Sequence, residues 1–180
     1  MRKLVALISL LAVVGLTVVA AAALADRGNG NGHAIRGQLD GYQETTGPGS
    51  ISTTGRGRVE LRIRDDGIHY RLRYSNIDGG TVTQAHIHFA QRHVAGGIIA
   101  FLCGGSEAAC TSPNGDITGV ITTAEILGPN GQGIEPGSMD EAVRAIRAGA
   151  TYANVHTSRW PAGEIRGQLH KAHRGRGNGR

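Results

Sequence analysis

Several chemical signatures are missing from this 180-residue sequence or are scarce in it. It contains no G-x-S-x-G nucleophile motif, no H-E-x-x-H helix and no phosphate-binding glycine loop. Its carboxylates, Glu44 among them, fall mostly in expected turns or on expected solvent faces, so no pair is set across a cleft as a glycosidase requires. Aromatic residues make up 4% of the chain, too few for the base-stacking surfaces of nucleic-acid-binding proteins. An enzyme is therefore the less favoured class, and we expect no nucleic acid partner.

Cysteine is also scarce, since Cys103 and Cys110 are the two in the chain. They enclose a short loop that begins Gly-Gly-Ser, and a close pair of this kind in an exported chain is typical of a disulfide. A metal-binding thiolate pair and a catalytic cysteine are the alternatives, and an oxidising compartment disfavours both. We expect a disulfide.

One long hydrophobic run, residues 4–23, follows two basic residues at the start of the chain. The small residues Ala23 and Ala25 suit a signal peptidase, so residues 1–25 are predicted to be a cleaved signal peptide. An uncleaved anchor is the alternative, because about 20 apolar residues can span a bilayer. After cleavage we expect no membrane span and a secreted, periplasmic or cell-surface location.

Composition divides the rest of the chain into three parts. Residues 26–32 are rich in Gly and Asn, and residues 172–180 are rich in Gly and Arg. Such segments bury too little apolar surface to fold. We expect a flexible lead, one folded domain over residues 33–171, and a flexible basic tail.

Apolar and polar residues alternate through much of this domain, which is the period of half-buried strands. The clearest case is a hairpin over residues 57–76, with its turn expected at Asp66 and Gly67. Further strands are expected at residues 81–89, 97–102, 117–122, 151–156 and 164–170.

A single short helix is expected near residues 139–148, where Ser138 and Glu141 fit a capping box. Many short strands with one helix predict a mainly β fold. We expect an antiparallel β-sandwich or barrel, either immunoglobulin-like or with a Greek key like that of copper/zinc superoxide dismutase.

The pentapeptide IRGQL occurs twice, at residues 35–39 and 165–169, near the two ends of the domain. Each copy fits a strand in which Ile and Leu share one face and Gly permits close backbone approach. Two such strands lying side by side would remove an exposed sheet edge. Chance repetition in a sequence rich in β-forming residues is the alternative, and we favour pairing of the first and last strands.

Three stretches of the chain resemble the CHRD domain family, which takes its name from chordin. They are IRGQLDGYQETTGPGSISTTGRGRVELRI near the start, AHIHFAQRHVAGGIIAFLC in the centre and YANVHTSRWPAGEIRGQL near the end. The resemblance covers residues 35–169 and implies a β-rich, immunoglobulin-like or barrel domain in an extracellular setting. In chordin such domains belong to a protein that sequesters secreted signalling proteins, which implies a binding function.

Three histidines are candidate metal ligands. His86 and His88 lie two residues apart on an expected strand, so both side chains project from one face. His156 lies on a late strand, and three nitrogens of this kind suit copper or zinc. His93, in the next loop, is a further candidate ligand. Glu164 is a candidate acceptor for the second N–H of a metal-bound imidazole.

The same three histidines have an alternative role as a hydrogen-bonded cluster that holds strands together without metal. A redox metalloenzyme of the superoxide dismutase type is less favoured, because the sequence does not clearly supply its bridging histidine and zinc carboxylate. The expected function is an exported binding domain with copper or zinc as candidate cofactor. Its expected partner is an extracellular protein or a cell-surface polymer of unknown identity.

Arginines line the outer face of the predicted hairpin. Arg62, Arg64, Arg71 and Arg73 form a compact basic patch, a candidate site for an anionic cell-wall polymer or a membrane surface. A solvated face that keeps the protein soluble is the plainer interpretation, and from the sequence alone we favour it.

Overall fold

The structure, a computed structural model, describes residues 34–172. The predicted signal peptide, the lead and all but the first residue of the tail lie outside the described residues. Within residues 34–172, no helix combines the length and the apolar character needed to cross a membrane.

Nine antiparallel strands form one sheet. They are β1 Ile35–Asp40, β2 Arg56–Arg64, β3 Gly67–Ser75, β4 Val82–Phe89, β5 Gly97–Cys103, β6 Gly115–Ile121, β7 Thr151–Thr157, β8 Ile165–Gln168 and β9 His170–Lys171. The helix α1 spans Met139–Arg147, and short 3-10 turns cover Gly41–Gln43, Thr123–Glu125 and Asn130–Gln132. The order across the sheet is β5-β4-β7-β8-β1-β2-β3-β6, with β9 also paired to β1.

The two ends of this path, β5 and β6, come close together, so the sheet is nearly closed into a barrel. The Tyr70 hydroxyl on β3 donates a hydrogen bond of 2.9 Å to the Leu102 carbonyl on β5. Beyond β6, the N–H of Leu127 donates to the Ile99 carbonyl on β5 at 2.8 Å. The predicted mainly β fold with one short helix is confirmed, in its barrel form.

Glycine makes room for the aromatic rings inside the barrel. Tyr70 and Tyr74 of β3 lie opposite Gly119 and Gly115 of β6. A Cβ at either glycine would press into the facing tyrosine ring. Each glycine therefore lets a large aromatic side chain fill the space that its own side chain would take, and both tyrosines are buried.

The predicted hairpin forms from β2 and β3, but its turn lies one residue earlier than expected. The register pairs Arg64 with Gly67, which leaves Asp65 and Asp66 as the two-residue turn. Gly67 instead begins β3 with a φ of 139°, a conformation that favours glycine.

The helix begins after Ser138, as predicted, but the expected capping box does not form. The Ser138 side chain makes no capping hydrogen bond to the helix backbone. The Glu141 carboxylate accepts the N–H of Glu135 at 2.8 Å, so it holds the loop that precedes the helix.

The two copies of the repeated pentapeptide lie side by side, which confirms the predicted pairing. Asp40 of β1 lies opposite Arg166 of β8, and β9 continues the same antiparallel register. At Gly167 the two backbones approach so closely that a Cβ would overlap the carbonyl of Gln38. This pairing joins the β5-β4-β7-β8 half of the sheet to the β1-β2-β3-β6 half, in the middle of the wall rather than at its open edge.

Replacing Gly167 by alanine should destabilise the barrel, because the new methyl group would push β1 and β8 apart. We expect a loss of about 1–3 kcal/mol or more in the free energy of unfolding, measured by urea denaturation. Gly131→Ala is the matched control, since nothing lies within 4 Å of a Cβ at that position. Equal stability of the two variants would show that the close approach is not required.

Candidate metal centre

Strand β7 is buried on both of its faces. All seven residues of Thr151–Thr157 are buried, although Ala153 and Val155 already fill the face toward the core. Side chains alternate across a strand, so the outer face carries three polar residues: Tyr152, Asn154 and His156. The outer wall of the barrel here supports a second, polar layer that loops cover.

The neighbouring strand β4 adds two histidines to this layer. His86 lies opposite Asn154, and His88 lies opposite Tyr152, on whose ring it stacks at 4.7 Å between centroids. One ring nitrogen from each of His86, His88 and His156 lies within 4.8 Å of the other two. The structure therefore brings together the three histidines that the sequence singled out.

The three imidazoles are neutral at pH 7. They are 1%, 8% and 6% exposed for His86, His88 and His156. Burial, followed by the charges of the neighbouring histidines, lowers the pKa of His86 to about 3. Burial also lowers the pKa of His88 to about 4, although the Gly96 carbonyl opposes this shift. The pKa of His156 is lowered by burial as well, so each ring keeps a lone pair for a metal.

Backbone carbonyls fix which nitrogen carries that lone pair in two of the rings. Nδ1 of His88 lies 2.9 Å from the carbonyl oxygen of Gly96, and Nδ1 of His156 lies 3.0 Å from that of Pro161. A carbonyl only accepts, so in each neutral ring the proton sits on Nδ1 and the lone pair on Nε2. Metal-bound histidines generally donate their other N–H to such an acceptor.

The spacing of one pair of these nitrogens also suits an ion. Nε2 of His88 lies 3.3 Å from Nδ1 of His86. Two nitrogens bound at about 2.0–2.1 Å to a tetrahedral ion are themselves about 3.3 Å apart. The pair already has the separation that such an ion imposes, and His86 Nε2 is a buried atom without a hydrogen-bond partner among the described residues.

Asn154 completes the floor of the cluster. The oxygen Oδ1 of its side-chain amide lies 2.9 Å from Nε2 of His156. Because that nitrogen holds a lone pair, the contact is a hydrogen bond when the amide turns its NH₂ group, rather than its oxygen, toward the ring.

Arg166 of β8 ties the covering loops to this layer. Its guanidinium lies 3.4 Å from the centre of the Tyr152 ring and donates to Thr45 and, at 2.8 Å, to the Val94 carbonyl. Glu44, beside it, is 2% exposed, and neither of its oxygens has a hydrogen-bond partner among the described residues. Burial raises the pKa of Glu44 to about 7, and the charge of Arg166 limits this rise.

Two other sequence candidates lie away from the cluster. The Glu164 carboxylate accepts from the Thr53 hydroxyl at 2.6 Å and from two backbone N–H groups, so these bonds, and not an imidazole, occupy it. His93 lies in an exposed turn with a φ of 64° and is not part of the three-histidine group.

The remaining candidates are found where the sequence indicated. Cys103 and Cys110 form a disulfide with 5.2 Å between their Cα atoms. The four arginines of the predicted patch lie on the outer face of β2 and β3, and two of them, Arg71 and Arg73, contact Asp116.

Sequence reasoning missed four residues of the polar layer: Glu44, Tyr152, Asn154 and Arg166. The period of two on β7 could have found Tyr152 and Asn154, since both share a face with His156. Nothing local marks Glu44, which was expected in a turn or on a solvent face. Its burial comes from packing against Gly163, where any side chain would overlap the carboxylate.

These features define a class: an antiparallel β-barrel domain with a buried histidine cluster beneath its loops. The family model described as CHRD domain matches residues 35–169, which is nearly the whole barrel. The chain therefore belongs to the CHRD domain family. Comparison with curated proteins and with solved structures gave no match.

Replacing Arg166 by methionine should loosen the loops that cover the histidines, because one buried guanidinium anchors them. We expect a loss of about 3 kcal/mol in the free energy of unfolding and faster amide hydrogen exchange in residues 44–51 and 91–96. Arg159→Met is the control, since that arginine is exposed and stacks on Trp160, and it should cost less than about 1 kcal/mol. Unchanged exchange in Arg166→Met would contradict this role.

Proposed function

We propose that this protein is an exported binding domain that holds one copper or zinc ion on His86, His88 and His156. The observation that carries the proposal is the convergence of three neutral imidazoles, two of which have their lone pairs fixed on Nε2 by backbone carbonyls. The carbonyls satisfy the buried Nδ1–H groups and at the same time leave Nε2 of His88 and of His156 able to bind a metal.

The chemistry of the donors selects the ion. Imidazole nitrogens suit copper and zinc, whereas calcium and magnesium prefer oxygen ligands. Affinity rises from the earlier first-row metals to copper and falls again at zinc, so divalent copper should bind more tightly than zinc. Three protein ligands leave a fourth position free for water or for a group brought by a partner.

Export is part of the proposal. The disulfide between Cys103 and Cys110 supports an oxidising compartment, and CHRD domains occur in extracellular proteins. We infer that residues 1–25 are a cleaved signal peptide and that residues 33–171 form the folded unit. The location is then secreted, periplasmic or at the cell surface.

A second candidate function is a structural or surface-interaction module without metal. The hydrogen bonds between His88 and His86 and between His156 and Asn154 favour it, because they link β4 to β7 without an ion. In that case the histidines contribute to stability and a partner binds elsewhere on the barrel.

A redox enzyme of the dismutase type has less support. That chemistry needs a bridging histidine and a zinc carboxylate in addition to the copper ligands. In the part of the chain that the structure describes, the three histidines are the one group of three or more such side chains close enough to share an ion.

The metal proposal predicts that one copper or zinc ion binds per chain and raises the thermal stability of the domain. At a free metal concentration about 100 times Kd, binding should add about 2.7 kcal/mol to the free energy of unfolding. His88→Gln should lose both the stoichiometric ion and the metal-induced rise in Tm. His69→Gln should keep both, since His69 lies on the outer face of β3 beside Asp66, away from the cluster.

The metal-free proteins are compared first, by circular dichroism and thermal unfolding, so that a variant that fails to fold is recognised. If folded His88→Gln binds metal as the parent does, the proposed centre is wrong. If the parent binds no metal above background while His88→Gln only loses stability, the protein is instead the structural or surface-interaction module without metal.

A further inference from the structure

A furrow crosses the outer face of the barrel wall formed by β2, β3 and β6. This wall is separate from the β4-β7-β8 wall, where loops cover the histidine cluster. Its floor is the row Gly57–Tyr74–Gly115, three residues paired across β2, β3 and β6. The Tyr74 side chain points into the core and the glycines have none, so the floor is bare backbone. The furrow is open to solvent and has a volume of about 440 Å³, which is comparable with the range of about 300–1,000 Å³ for ligand sites.

The two rows beside this floor form the walls. On one side Arg56 pairs with Ser75, and on the other Arg58 pairs with Arg73, with Gln38 of β1 next to Arg58. Three arginines therefore face the furrow, and no acidic residue is among its lining residues.

The charges of this furrow are only partly neutralised by the protein itself, since Arg56 donates to the Thr53 and Gly55 carbonyls and has no carboxylate partner among residues 34–172. Arg58 and Arg73 lie directly opposite each other, and like charges in that position destabilise a sheet. The nearby carboxylate of Asp116 binds Arg71 through two hydrogen bonds, one of 2.7 Å, and lies 3.4 Å from Arg73. Among the ion pairs of residues 34–172, none includes Arg56 or Arg58.

The candidate anion site therefore lies further from the hairpin turn than the patch predicted from the sequence. The patch expected from the sequence centred on Arg62, Arg64, Arg71 and Arg73. Arg62 and Arg64 lie at the turn end of the hairpin. Arg71 is bound by Asp116 through two hydrogen bonds, whereas Arg73 contacts that carboxylate only at 3.4 Å. Arg56, Arg58 and Arg73 converge on the furrow instead, so that a bound anion would relieve the repulsion between two of them.

We infer that the furrow binds an anionic polysaccharide through its carboxylate or sulfate groups. Arginine guanidinium groups bind such groups with paired, charge-assisted hydrogen bonds. Gln38 and Ser75 supply neutral donors and acceptors for sugar hydroxyls. The lining has no exposed aromatic ring for stacking bases and no exposed apolar side chain for entering a bilayer, which sets nucleic acid and membrane aside.

The test measures binding of the mature protein to heparin and to alginate, with uncharged dextran as the blank. Arg58→Gln/Arg73→Gln should weaken binding by about tenfold or more, because each lost contact is a charge-assisted hydrogen bond, and should leave folding intact. Arg144→Gln/Arg147→Gln on α1 is the matched control, since it removes the same charge from exposed positions elsewhere, and it should change the affinity little. Binding should weaken as salt rises and persist after a chelator removes metal.

Three results would overturn the inference. The first is that the parent protein binds neither polysaccharide. The second is an equal loss of affinity in the two double variants, which would mean that bulk charge acts alone. The third is binding of phosphatidylserine vesicles in preference to the polysaccharides. Because the chelator arm leaves the furrow intact, failure here is distinguishable from failure of the metal centre.

Discussion

The close approach of β1 and β8 at Gly167 is the constraint on which the rest of the structure depends. It joins the two halves of the sheet, and the absence of a side chain there lets the backbones meet against Gln38. The same register places Arg166 on the outer face opposite Asn154. From that position its guanidinium reaches the loops over the barrel wall. The repeated pentapeptide thus matters for its glycine and its arginine as much as for its apolar residues.

The two outer faces of the barrel have opposite characters for one topological reason. The segments after β1, β4 and β7 fold over the β4-β7-β8 wall. The first supplies the Thr45 hydroxyl, and the other two supply the carbonyls of Val94, Gly96 and Pro161. Buried polar groups are tolerated when they are hydrogen-bonded, so these carbonyls compensate the burial of Arg166 and two histidines while fixing the histidine tautomers. Among residues 34–172, no such cover lies over the β2-β3-β6 wall, where the arginines are exposed or half-buried. The two walls therefore differ in chemistry, with buried imidazoles on one and arginines on the other.

The sequence predicts this fold well and its site partly. Alternation on β2, β3 and β4 is a local property, so the hairpin and the shared face of His86 and His88 could be predicted from it. The pairing of the two pentapeptides was predicted instead from their repetition near the two ends of the domain. The position of the hairpin turn depends on register rather than on residue type, and it was missed by one residue. Glu44 and Glu164 were misjudged because their surroundings come from segments over 100 residues away in the chain, Gly163 and Thr53 respectively. The furrow could not be predicted from the sequence, because it forms only where the register of three strands brings their glycines and arginines together.

Backbone carbonyls leave the lone pairs of His88 and His156 on Nε2, where a metal can bind them, and the ring tautomers of these histidines can be measured. Long-range ¹H–¹⁵N NMR of the metal-free protein near pH 7 distinguishes a protonated ring nitrogen from one with a free lone pair. We expect neutral rings for His88 and His156 with the proton on Nδ1, and a shift of their Nε2 resonances on addition of zinc. Protons on Nε2, or charged rings at that pH, would contradict this expectation.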